Sequence, residues 1–61
     1  MEKLTWRLAK NVERGMFIRT KPGTFWKVAW REVNRGVECC HLENGQTLEY
    51  SPNDRVIVSV I

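Results

Sequence analysis

Residues that turn or break a chain recur at close spacing along this sequence: Gly15, Pro22-Gly23, Asn34-Arg35-Gly36, Asn44-Gly45 and Pro52-Asn53. Short stretches joined by turns at this spacing favour the strands of a small sandwich or barrel. Their residues agree with that reading. The longest stretch, residues 25–33, places Trp26, Val28 and Trp30 on one parity and Phe25, Lys27, Ala29 and Arg31 on the other. Period-two order of this length predicts a strand with one apolar face and one basic face. Glu32 breaks the order, and a bulge near Arg31 would return Val33 to the inner side and bend the strand. A long bent strand of this kind serves two sheets of a small barrel.

The rest of the chain falls into place around it. Leu4, Trp6 and Leu8 alternate with Thr5, Arg7 and Ala9, which suits a short strand, an edge segment or a short helix. Residues 10–14 connect, with Val12 as the apolar anchor, and residues 16–20 form a strand. Pro22-Gly23 fits the centre of a type II turn. Asn44-Gly45, between two strand-like runs, is a strong hairpin signature. A two-residue turn there pairs Cys39 with Tyr50 and His41 with Leu48, and sends Val37, Cys39, His41, Leu48 and Tyr50 inward. A three-residue turn with Gly45 as a bulge moves the register by one and puts Cys40 and Leu42 inside instead. The two-residue form is the reading adopted, because Asn-Gly suits it. Residues 51–54 turn once more, and residues 56–61 close the chain as a β-branched strand. In that strand Val56, Val58 and Val60 share one face, and Ile57 and Ile61 the other.

Sixty-one residues allow one domain, residues 1–61, and one core. The predicted core is Trp6, Ile18, Trp26, Val28, Trp30, Val33, Val37, Leu48, Val56 and Val58. Cys39 and Cys40 are adjacent, so a disulfide between them would be strained. They read as reduced thiols, which points to a cytoplasmic protein. No apolar run reaches the roughly 20 residues that cross a bilayer, and no apolar leader segment opens the chain.

The order of a lead-in segment, a strand, a Pro-Gly turn, the bent Trp26-x-Val28-x-Trp30 strand, the Asn44-Gly45 hairpin, a Pro52-x-Asp54 turn and a Val-rich last strand resembles the SH3-like small barrels. The KOW and Tudor-like modules of nucleic-acid-handling proteins are of this kind, as are small uncharacterised barrel proteins of bacteria and phages. The resemblance implies an all-β, five-stranded SH3-like barrel with a short N-terminal lead-in. It is one of strand and turn order, and fold of itself does not carry function.

The chemistry-bearing residues exclude more than they assign. His41 is the sole histidine, and Cys40 faces the opposite side of an extended strand, so no nucleophile–base pair forms. Cys39, Cys40 and His41 are too close in an extended strand to wrap a tetrahedral ion. Nothing resembles a glycine-rich phosphate loop. The expectation is a non-catalytic module with no metal and no cofactor. The basic residues are more telling. Residues 1–35 hold nine basic residues against three acids, a balance of +6, and residues 36–61 balance at −3. Arg19, Lys21, Phe25, Lys27, Arg31 and Arg35 make a candidate cationic face with an aromatic to stack on. Such faces bind nucleic-acid backbones, RNA or DNA, without reading sequence. The alternative is a protein-interaction module whose partner docks at a groove or strand edge, with Met16 and Phe25 as apolar contacts.

Overall fold

The computed structural model describes residues 3–60. Six strands form: β1 (Lys3–Leu8), β2 (Phe17–Lys21), β3 (Thr24–Asn34), β4 (Val37–Leu42), β5 (Thr47–Tyr50) and β6 (Arg55–Val60), with a 3₁₀ turn at Ala9–Asn11. Every neighbouring pair is antiparallel, in the order β1-β6-β2-β3-β4-β5. The all-β expectation holds. The five-stranded closed barrel does not: there are six strands, and the sheet stays open with β1 and β5 at its ends. The difference lies in residues 3–8. Expected as a lead-in, they pair along all of β6, from Lys3 opposite Val60 to Leu8 opposite Arg55. Ile61 lies outside the described residues.

β3 joins the two halves of the sheet. Its first residues pair with β2 and its later ones with β4. Between them the register shifts, because Val28 faces Leu42 while Trp30 faces His41. Ala29 is the extra residue, so the bulge sits two positions before the expected one near Arg31. A bulge exchanges the faces of everything after it. Val28 therefore points inward, Trp30 outward and Arg31 inward.

The Asn44-Gly45 hairpin takes the longer loop, not the two-residue turn. Leu42 N–H donates to the Gln46 carbonyl at 2.8 Å, and Gly45 N–H to the Leu42 carbonyl at 3.0 Å. The Asn44 side-chain oxygen accepts from Gln46 N–H at 2.8 Å, a bond that holds this wider turn. Gly45 has φ +90, open to glycine at no steric cost. Cys40 consequently pairs with Leu48 and His41 with Thr47. His41 is sent outward, and Cys40 and Leu42 enter the core.

That core is Val12, Ile18, Val28, Cys40, Leu42, Val56 and Val58, with Met16, Leu48 and Tyr50 packed against it. Of the predicted set, Ile18, Val28, Val56 and Val58 are buried. Leu48 and Val37 are partly buried. Trp6, Trp26, Trp30 and Val33 are not core residues and are 63%, 41%, 50% and 64% exposed. Trp30 is turned out by the Ala29 bulge. Trp26 keeps the inward register, opposite Ile18, but its ring lies at the rim of the core. Trp26→Ala therefore removes a rim contact, not a core plug.

Arg31 enters the space that a hydrophobe was expected to fill. Its guanidinium donates to the Val12 carbonyl, to the Lys10 carbonyl at 3.5 Å, and to the carboxylate of Glu38 on β4. Glu38 is 6% exposed. A buried carboxylate left without its cation is strongly destabilising. Replacing Arg31 by Glu, or Glu38 by Ala, is expected to cost about 3–5 kcal/mol in urea denaturation. The paired change Arg31→Met with Glu38→Leu should recover most of that loss. A paired cost equal to the sum of the two single costs would show that the two side chains act independently. The turn after β3 supplies a second test. Arg35 has φ 54 and Gly36 φ 78, as a type I′ turn requires. A non-glycine side chain there is strained, so Arg35→Asn should stabilise by about 0.5–1 kcal/mol and raise the melting temperature.

Candidate nucleic-acid interface

Registers across four strands decide what the outer face displays, because directly opposed residues share a face. Ile18 opposes both Val58 and Trp26 and belongs to the inner side. One step along, Leu4, Ser59, Phe17 and Lys27 form a row across β1, β6, β2 and β3 on the outer side. The next outer positions pair Trp6 with Ile57 and Arg19 with Phe25. Leu8 then faces Arg55. Arg19, Lys27 and Arg55 are exposed, and Phe17, Phe25 and Ile57 are half-buried. This face thus interleaves aromatic rings with cations. Ser59, in the middle of its row, is buried and its hydroxyl has no partner.

The six expected site residues do not gather in one place. Arg19, Phe25 and Lys27 come together on this outer face. Lys21 pairs with Thr24 at the tip of the β2–β3 hairpin, past a second register shift. Arg35 occupies the β3–β4 turn in the other half of the sheet. Arg31 does not emerge beside Phe25, because it is turned inward against Glu38 and Val12. Four residues of the face were not anticipated: Trp6, Phe17, Ile57 and Arg55. Trp6 was assigned to the core, since alternation shows that two faces differ but not which one is buried. Arg55 sits in the acidic part of the sequence and reaches the basic face only because β6 inserts between β1 and β2.

Charge is accordingly segregated in space. The β1-β6-β2-β3 half displays Arg19, Lys27 and Arg55. The β3-β4-β5 half displays Glu32 and Glu49 on the same side as Trp30. Within that second half Trp30 stacks on His41, with centroids 3.7 Å apart and planes 7° from parallel. Glu32 Oε2 lies 2.7 Å from His41 Nε2, and Thr47 Oγ1 lies 3.0 Å from Nδ1. A carboxylate only accepts, so in the neutral ring Nε2–H donates to Glu32 and the threonine hydroxyl donates to Nδ1. The order hydroxyl–imidazole–carboxylate is that of nucleophilic catalysis. Here it lies on an open sheet surface, and its effect is to clamp the imidazole flat against Trp30.

No helix among the described residues is long and apolar enough to cross a membrane, and they contain no cluster of side chains able to hold a metal ion. A search against protein-family models finds no match, and comparisons with curated proteins and with solved structures find no significant one.

Both cysteines are unpaired and buried. Burial pushes the Cys40 thiol above its ordinary value of 9.0, against an opposing pull from Arg31. Burial, and then the carboxylates of Glu49, Glu32 and Glu38, raise Cys39. Burial raises the Tyr50 phenol as well. In all three the folded state favours the neutral form. Their contribution is therefore intact below the unfolded-state values and is lost as pH rises above about 9. Stability measured by denaturant should be flat from neutral pH to about 8 and should decline above about 9. A thiol reagent at neutral pH should label both cysteines only as fast as the protein opens, and prompt labelling of either would show that its strand frays.

Proposed function

We propose that this protein is a small non-catalytic module that binds single-stranded nucleic acid through the outer face of β1, β6, β2 and β3, without reading sequence. The observation that carries this is the pair of adjacent rows in which Lys27 lies beside Phe17 and Arg19 opposite Phe25. Cations meet phosphates, and half-exposed rings offer a π-face to any base. Of the amide side chains that read base edges, none lies in these rows, so the contacts are to backbone and ring face. Lys21 and Arg35 contribute to the surrounding positive field, and Arg31 contributes only by holding the fold. Two unpaired, buried thiols suit a reducing cytoplasm. The order β6-β2-β3-β4-β5, with β1 added beside β6, supports an SH3-like reading of the inner five strands.

Affinity should be roughly 10⁻⁴–10⁻⁶ M at physiological salt and should fall steeply as salt rises. The test is fluorescence anisotropy of a labelled oligothymidine, its RNA counterpart and a duplex at low and high salt. Arg19→Glu with Lys27→Glu should abolish binding and leave the melting temperature nearly unchanged, since exposed strand charges add little stability. Phe25→Ala should weaken single-strand binding by about 1–3 kcal/mol and hardly affect the duplex. An unaffected double reversal, or no binding at low salt, would overturn the reading. A second reading has its own observation. β1 is an edge strand carrying exposed Leu4 and Trp6, and an open apolar edge accepts a strand from a protein partner.

A further inference from the structure

A shallow groove of about 360 Å³ is bounded by Trp6, Arg7, Leu8 and Arg55. Its volume falls within the range of small-ligand sites. Its four lining residues come from one place in the fold, where the end of β1 lies against the start of β6 and Leu8 opposes Arg55. By register Trp6, Leu8 and Arg55 face it from the outer side, while Arg7, opposite Val56, belongs to the inner side. Among the described residues Arg55 has no salt-bridge partner. Trp6 is 63% exposed, although tryptophan is a residue that folding normally hides.

We infer that this groove seats one nucleotide, its phosphate on Arg55 and its base on the face of Trp6. The inference rests on the proposed reading and assigns the groove as one nucleotide position of the bound strand. Three features select this occupant. A planar guanidinium fork matches phosphate oxygens bidentately, which a carboxylate-free groove leaves open. An exposed indole is a strong stacking platform for a base. The groove also continues the outer face, since Trp6 and Arg55 lie on the same side of the sheet as Arg19 and Lys27. A strand leaving the groove would cross β6 and β2 toward those cations. An apolar peptide would bury Leu8 and Trp6 but would strand the unpaired Arg55 cation, so the charge argues against it.

The experiment uses 5′-AMP as the mononucleotide probe, with adenosine and inorganic phosphate as controls, on ¹⁵N-labelled protein. The Trp6 indole N–H, assigned by its loss in Trp6→Phe, should shift with 5′-AMP, and the Trp26 and Trp30 indoles should not. Adenosine or phosphate alone should move it less. In parallel, Arg55→Gln and Trp6→Ala should each weaken oligothymidine binding by about tenfold, and both positions are exposed enough to leave the fold intact. Should 5′-AMP leave Trp6 unmoved, or shift all three indoles alike, the groove assignment is overturned even if the oligonucleotide binds. Oligonucleotide affinity unchanged in both variants would likewise overturn it, while leaving the proposed function standing. A Trp6 shift with 5′-AMP in a protein that fails to bind oligonucleotides supports the groove as a mononucleotide site and removes the proposed function.

Discussion

One guanidinium ties the two halves of the sheet to the loop beneath them. Arg31 leaves β3 just past the bulge, reaches the carbonyls of Lys10 and Val12 after the 3₁₀ turn, and meets the Glu38 carboxylate on β4. Val12 is fully buried, and its carbonyl lies outside any strand. Without Arg31 that acceptor would be buried and unsatisfied, a state folded proteins avoid. The same loop is fixed from its other side: Ala9 N–H donates to the Asp54 carbonyl at 2.7 Å and Lys10 N–H to the Pro52 carbonyl at 3.1 Å. The link from β1 to β2 is thereby a structural member of the core, and a polar residue sits where a small apolar core alone would be thin.

Two single-residue insertions decide which side chains the molecule shows. The extra residue at Ala29 turns Trp30 out and Arg31 in. The wider Gly45 turn brings Cys40 and Leu42 in and sets His41 beside Trp30. The two slips are matched. Had only one occurred, the apolar set of a strand would face solvent and its polar set the core. The stacked Trp30–His41 pair is what the agreement of the two registers looks like on the surface.

The outer face has an electrostatic logic as well. Cations on β2, β3 and β6 gather at one end of the sheet and carboxylates on β3 and β5 at the other, although the net charge is only +3. A local field acts over about the Debye length, roughly 8 Å at physiological salt, so a polyanion meets the basic half with little opposition from the acidic half. On the proposed function, Glu32 and Glu49 would direct an approaching strand toward the end of the outer face that carries Arg19, Lys27 and Arg55.

Much of the architecture was legible in residues alone. Gly15, Pro22-Gly23, Arg35-Gly36 and Asn44-Gly45 marked the turns, alternation marked the strands, and Val12 stood out as the anchor of its loop. These are local properties, set by backbone sterics and by the two-residue period of a strand. The faces were not legible. Alternation at Trp26, Val28 and Trp30 shows that β3 has two sides, but a bulge at Ala29, two residues before the expected one, turns Trp30 to the other side. Its position depends on what Arg31 finds at Val12 and Glu38. The candidate interface was legible in part: Arg19, Phe25 and Lys27 share a parity within a single hairpin. Trp6 and Arg55 join them only because β6 lies between β1 and β2, a pairing of residues some fifty positions apart. The sequence by itself determined where the chain turns and which stretches extend. Tertiary structure decided which side of each strand is inside, because that choice depends on partners distant in the chain, and local preference carries no information about them.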